Sequence, residues 1–420
     1  MLLVSCTHAM VHTLECSIGS VEQVVSKEFR LTKEQSGQLG MMFRLPYGLG
    51  ALLAGMLADR LGARRVLTMY LAGSAAVCAS FLFTPAVSLM YGQLFVLGVF
   101  ASMYHPAGLA LLANSLPPSD RVRALGMHGV FGSTGISVAP LLAGITLSIR
   151  EDDWRGYFLV LCGMCGALAI LAATRLKSVA EVRLMHSENP VASGASTVTV
   201  SLPRSVVRLQ RLPFAALVIS SGLSGVVYGG FLHFLKRYLS EAGTGESAAP
   251  FLASNQDTVA SFYTAVVLSF GAAGQWLTGR YALRGRLPEQ LALVYFGNAP
   301  LLWWMSVAQG NARLVAACLL AFVHFMNQPL YNSLLPEFMP ANRRSTWFGF
   351  SNMIGFGVGA VGPWLVGRVG SDRDAYLSLA MIAMLAGLFP LLLKTRWMTG
   401  SESATDWTQG TDDHDSVSSR

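Results

Sequence analysis

Charge is scarce in this chain. Only 13% of its 420 residues are Asp, Glu, Lys or Arg, against 53% that are hydrophobic; an average soluble chain carries about 25% charged residues. A soluble globule of this length needs far more polar surface to cover its core, so an ordinary soluble enzyme is excluded, and the apolar richness excludes a disordered protein. A disulfide scaffold is excluded as well: Cys6, Cys16, Cys78, Cys162, Cys165 and Cys318 all fall inside apolar runs. The CxxC spacing of Cys162 and Cys165 reads as two small buried thiols. There is no Asn-x-Ser/Thr sequon, and the first residues have no basic stretch of the kind that opens a cleavable signal peptide.

What is abundant points to a bilayer. Mean hydropathy is +0.48. The 42 glycines have no collagen-like period and suit helices that pack closely in a membrane. The net charge of +7 would hint at nucleic acid in a soluble protein; here it reads as arginine-rich cytoplasmic loops, and no nucleic-acid partner is expected.

About 20 mostly apolar helical residues cross a bilayer. Twelve such runs are predicted, over residues 3–26, 35–57, 66–86, 88–113, 121–148, 155–175, 213–235, 257–279, 289–309, 313–336, 345–368 and 374–395. The longest connector, 175–212, separates the sixth from the seventh, and a polar tail follows Trp397. With both termini on the cytoplasmic side, the inside loops hold Arg60, Arg64, Arg65, Arg121, Arg123, six basic residues of the connector, Arg280, Arg284, Arg286, Arg343 and Arg344. They then outnumber the outside Lys and Arg, as the positive-inside rule requires.

The chain also repeats itself. Displaced by 223 residues, Met103–Gly144 aligns without a gap on Met326–Gly367, and twelve of 42 positions are identical, Pro106/Pro329, Gly126/Gly349, Pro140/Pro363 and Gly144/Gly367 among them. Shared apolar composition does not put prolines and glycines in register. The expected fold is therefore all-α: twelve transmembrane helices in two pseudo-symmetric six-helix bundles. The bundles are 1–174 and 213–396, with a cytoplasmic connector over 175–212 and a cytoplasmic tail over 397–420. Parallel halves of this kind are the build of transporters that rock around a midplane site.

Between the second and third runs stands Gly55-Met-Leu-Ala-Asp59-Arg60-Leu-Gly62-Ala-Arg64-Arg65. It resembles, position by position, the loop signature of the major facilitator superfamily, and the likeness extends over residues 1–396. The resemblance implies that Asp59 bridges to the other half and holds the cytoplasmic side shut. A worn copy, with Arg280 and Arg284 but Gly279 in place of the acid, makes the gate charges asymmetric. The fifth run carries Gly126, Gly135, Ala139-Pro140 and Ala143-Gly144, similar to the family's antiporter signature with Ala for Gly at two positions. That resemblance implies a seal favouring exchange. Pro140 is expected to kink the helix, and Gly362-Pro363 is the parallel kink of the eleventh run. The family's fourth-run Arg is replaced by Leu94, so its proton route does not carry over. Tyr104-His105-Pro106-Ala-Gly108 with Gly126-Met-His128-Gly129 resembles the fosmidomycin-resistance-like branch.

Ionisable residues inside a bilayer cost about 2.5–3.5 kcal/mol each on insertion scales and are functional candidates by default. Glu15 and Arg44 lie near the middle of consecutive antiparallel runs, so they are expected at one depth and paired. His8, His12 and Glu15 at i, i+4 and i+7 share a helix face that suits a proton path or, by its ligand types, a divalent cation. His105 and Gln328 occupy matching repeat positions and are expected to face a cavity together.

The sequence reads as a secondary active transporter of the inner membrane: alternating access, proton-coupled export of a small solute, no cofactor, no resident metal, a monomer. The alternatives are uptake of an organic anion drawn by Arg44, divalent metal transport, or a non-transporting sensor or assembly factor on the same fold. No nucleophile–base pair, P-loop or metal-hydrolase spacing supports an enzyme.

Overall fold

The computed structural model describes residues 1–115, 118–150, 153–176, 209–241, 256–339 and 344–401. The described chain is helical, with no strand among the described residues. The first half holds α1 (Leu2–Glu15), α2 (Ser17–Phe29), α3 (Lys33–Leu61), α4 (Ala63–Ser80), α5 (Val87–Ser102), α6 (Tyr104–Ser115), α7 (Pro118–Ile149) and α8 (Trp154–Arg175). The second holds α9 (Arg211–Ser240), α10 (Gln256–Tyr281), α11 (Leu287–Val307), α12 (Asn311–Phe325), α13 (Asn327–Leu334), α14 (Arg344–Gly359), α15 (Val361–Val369) and α16 (Asp372–Ser401). Eight helical segments are individually long and apolar enough to cross a membrane.

These helices map onto the twelve expected crossings because four crossings are each made of two consecutive helices: α1–α2, α5–α6, α12–α13 and α14–α15. The joints are Cys16, Met103, Met326 and Ala360, and each keeps right-handed angles, as at Met103 (φ −71°, ψ −19°) and Met326 (φ −60°, ψ −22°). Three joints have one cause. A proline lacks the N–H that would bond the carbonyl four residues before it. Pro106, Pro329 and Pro363 leave the carbonyls of Ser102, Phe325 and Gly359 without that bond, and the helices break directly after them. Met103 and Met326 are equivalent under the 223-residue repeat, so the internal symmetry extends to where the helices break. Pro140 does not behave like its counterpart Pro363: α7 runs through it uninterrupted.

Local signals set the ends. Thr32 caps α3 through a reciprocal box, its hydroxyl accepting from the Gln35 N–H and its own N–H donating to the Gln35 side chain. Gly62 separates α3 from α4 at φ +82°, a conformation open chiefly to glycine, and the Gly55–Arg65 motif thereby becomes a tight turn at one end of the molecule. Contrary to expectation, α16 continues past residue 395 to Ser401, so the first residues of the predicted tail are helical; residues 402–420 and most of the connector lie outside the described residues.

One apolar cluster fills the first half, built on residues such as Phe43, Tyr70, Leu97 and Trp154; one of the other two lies in the second half, and the other is mostly there but takes in Cys16, Ile136 and Ala139 of the first. Large apolar side chains including Phe83, Ile149, Leu293 and Met381 point outward, the arrangement a hydrocarbon solvent rewards. The halves meet along α3 against α14 and α15, and along α7 against α10. Backbones touch at these seams: a Cβ on Gly37 would strike the Pro363 carbonyl, and one on Gly48 the Gly357 amide. Ion pairs join the halves at the end opposite Gly62, between Lys33 and Asp372 (2.7 Å), Glu34 and Arg368 (2.9 Å), and Glu22 and Arg237.

Candidate functional site

The first joint positions the central site. Glu15 is the last residue of α1, immediately before Cys16, and it is buried. Its Oε2 accepts a hydrogen bond from His12 Nδ1 at 2.7 Å. Arg44 of α3 approaches its Oε1 to 2.8 Å as an ion pair. Arg44 is itself only 4% exposed, and its guanidinium lies 5.1 Å from the ring centre of Tyr228 on α9. The expected pair therefore forms, and His12 and the second half extend it. Removing two charges from water costs several kcal/mol per ion; a mutual ion pair, a charge-assisted hydrogen bond and a cation–π contact offset that cost here.

The second joint brings His105 to the same place. His8, His12 and His105 each offer a ring nitrogen, and the three atoms lie within 4.8 Å of one another. Each ring is anchored from outside the trio: His8 Nδ1 donates to the His128 carbonyl (2.7 Å), His12 to Glu15, and His105 Nε2 bonds the Tyr47 hydroxyl (2.8 Å). His128 stacks on His8 with ring centres 4.2 Å apart. The Tyr104 hydroxyl donates to the Val4 carbonyl (3.1 Å), so it accepts from His128 Nε2 (3.0 Å), and His128 Nδ1 is left to accept from Ser5 (3.3 Å). That network assigns the proton of His128 to Nε2. Phe356 of α14 closes the site from the second half, against Tyr47 and His105.

The remaining predicted residues are dispersed. Gln328 stands at the third joint, one residue from Asn327, as the repeat implied, but it is exposed and does not meet His105. It accepts from Gln275, whose own carbonyl accepts from Ser133 of the first half. Of the gate motif, Gly55 and Gly62 shape α3 and its turn, Asp59, Arg60 and Arg65 are exposed, and Arg64 donates to the Ala173 carbonyl of α8. Asp59 makes no ion pair among the described residues. Gly126 is helical, but its surroundings lie outside the described residues. Gly135 packs against the Ala9 carbonyl of α1, inside the first half, whereas Gly144 faces Ser261 of the second half at the seam. Gly362 faces the Val226 backbone. The six cysteines are free thiols, Trp303 points outward and Trp304 packs inward.

Two groups were missed from sequence. His128, Tyr47, Tyr104, Tyr228 and Phe356 complete the central site from five helices, α7, α3, α6, α9 and α14, and no spacing along one helix reveals them. Glu22 is a second buried acid. It lies seven residues beyond Glu15, and extending the same helical periodicity would have found it.

A model of the Major Facilitator Superfamily matches residues 1–363. A protein of Haemophilus influenzae named for metabolite transport is 25% identical over 380 residues, 88% of each chain. SauU of Cupriavidus necator, named for sulfoacetate transport, is 26% identical over 409 residues and 90% of each. In fold, the chain resembles a bacterial homolog of the human lysosomal transporter Spinster in an inward-facing, occupied conformation. The TM-score is 0.71 at 12% identity, over 95% of this chain and 97% of that one.

Proposed function

The chain belongs to the major facilitator superfamily and is a multi-pass membrane protein that transports a small solute; on that premise we propose proton-coupled export across the inner membrane by alternating access. The observation that supports coupling is the buried chain His12–Glu15–Arg44 at a helix joint, in contact with Tyr228 of the opposite half. When Glu15 takes a proton its attraction to Arg44 falls away, while the contact of Arg44 with Tyr228 remains. A bond inside the first half is lost and the one between the halves is kept, and that shift in balance is what coupling a proton to rocking requires. Export in exchange for protons follows from the antiporter-like pattern Gly126, Gly135, Pro140 and Gly144. Both termini are cytoplasmic in this reading, the bundles are 1–174 and 213–396 with the connector and tail inside, and the monomer is the working unit.

A second reading is supported by one observation, the convergence of His8, His12 and His105. Imidazoles whose outer nitrogens are fixed by a carbonyl, a carboxylate and a hydroxyl resemble second-shell support for a transition metal. In that reading a divalent cation is the cargo and Glu15 carries no proton.

The deciding experiment is transport by purified protein in proteoliposomes. A panel of organic acids, amphiphilic drugs and Zn(II) or Co(II) is presented with and without a pH gradient. Solute movement that dissipates the gradient and is lost in Glu15→Gln supports the first reading. Cobalt movement lost in both His8→Ala and His105→Ala, with Glu15→Gln active, supports the second.

A further inference from the structure

The second buried acid is at the tied end of the molecule. Glu22 on α2 is 1% exposed and is held by both halves. From its own half, the hydroxyls of Ser26 (3.1 Å) and Ser36 (2.5 Å) donate to Oε1. From the second half, Arg237 of α9 donates through Nε to Oε2 (3.0 Å) and through Nη2 to Oε1. One turn before Arg237, His233 Nε2 bonds the Ser36 carbonyl at 2.9 Å. Lys236 Nζ donates to the Ser20 carbonyl at 3.2 Å. Titratable and charged groups facing Glu22 are therefore His233, Lys236 and Arg237 from α9. No charged side chain of α3 contacts it among the described residues, and Glu241 and Asp372 act on Arg237 from its outer side.

This interface differs from its neighbours in burial. Lys33–Asp372 and Glu34–Arg368 join the same two halves, but all four side chains are partly or well exposed, so each pair is worth little. Glu22 is taken wholly out of water, and removing the partner of a buried charge costs far more than removing an exposed one. In alternating access this end has to open, and every opening separates Glu22 from Arg237.

We propose that Glu22 is a titratable latch: a proton from the aqueous phase on that side neutralises it, releases Arg237 and lets α2 part from α9. The latch is distinct from the central site. It rests on alternating access between the halves but not on Glu15 as a carrier.

Spin labels at Lys27→Cys and Arg373→Cys, both exposed positions on opposite halves at this end, report the opening by electron–electron distance. The background lacks Cys6 and Cys162, the two partly exposed native thiols. In wild type the long-distance population is expected to grow as pH falls from 6 to 4, because a carboxylate held by an Arg gives up its contribution only on the acid side of its ordinary range. Glu22→Gln keeps shape and hydroxyl partners while removing the charge; it should shift the open-to-closed ratio by roughly tenfold, the equivalent of one unit of pKa coupling, and make it flat with pH. Arg237→Gln combined with Glu22→Gln should also be flat. Glu15→Gln should leave the pH response of this distance in place, so failure of the central proton reading leaves the latch testable. A wild-type pH response retained in Glu22→Gln overturns the proposal, as does a wild-type distance that does not change with pH. Loss of the response in His233→Gln with Glu22→Gln still responsive assigns the switch to the histidine and overturns it too.

Discussion

Replacing Glu15 by Gln isolates the energetics of the central pair. The change leaves Arg44, 4% exposed, without a counter-charge. Breaking a buried ion pair from one side costs about 3–5 kcal/mol. The Gln carbonyl still accepts from a cation, and a hydrogen bond to a charged group returns about 1.5–3 kcal/mol. The Tyr228 contact is present before and after, so it does not enter the difference. The net loss is about 2 kcal/mol, roughly a 30-fold fall in the folded-to-unfolded ratio. Arg44→Gln should cost a similar amount. The double variant has no buried charge in the pair and should recover to within about 1 kcal/mol of wild type, giving a coupling energy of about 3–4 kcal/mol in the cycle. The assay is reversible denaturant unfolding of the four proteins in one detergent, beside proton uptake in proteoliposomes. Additivity within about 0.5 kcal/mol would refute the pairing. Normal proton-driven transport in the double variant would refute Glu15 as the carrier while leaving the clamp intact.

Other expectations follow from the geometry. Asp59→Asn should leave unfolding unchanged, because Asp59 is exposed and makes no ion pair among the described residues, yet slow transport by weakening the alternate state; unchanged transport rates in a normally inserted protein would remove the gate role. Gly135→Leu, which drives a side chain into the Ala9 carbonyl within the first half, should impair folding and yield as well as exchange, measured by size-exclusion recovery. Gly37→Ala places a methyl against the Pro363 backbone of the other half and should instead hold the tied end ajar in a folded protein, seen as faster alkylation of a cysteine placed at Ser240. The Arg368 hydrogen bond, with help from Trp364, holds the Glu34 carboxyl below its ordinary range. A depressed acid contributes fully above its unfolded value near 4.3 and loses its contribution only as pH falls through the lower folded value. Glu34→Gln should therefore leave any opening between pH 5 and 8 unaltered, and a changed response in that window would contradict the assignment.

Hydropathy and internal repetition were enough to specify an all-α, twice-six architecture, because a bilayer forces every crossing to satisfy its backbone within a helix and so leaves a run of fixed length in the sequence. The repeat also marked where helices break, through Pro106 and Pro329, since a missing N–H acts locally. At Pro140 α7 stays continuous whereas the helix before Pro363 ends, so the symmetry of helix breaks does not extend to that pair. The His8–His12–Glu15 face and the Arg44 pairing were legible from helical spacing and equal depth, both consequences of one-dimensional geometry. The arrival of His105, His128, Tyr228 and Phe356 was not, and neither was the clasp of Glu22 by Arg237. Those contacts join residues on different helices, from 24 to more than 200 positions apart, and only the rotation of each helix about its own axis, set by packing of the whole bundle, decides which of their faces meet.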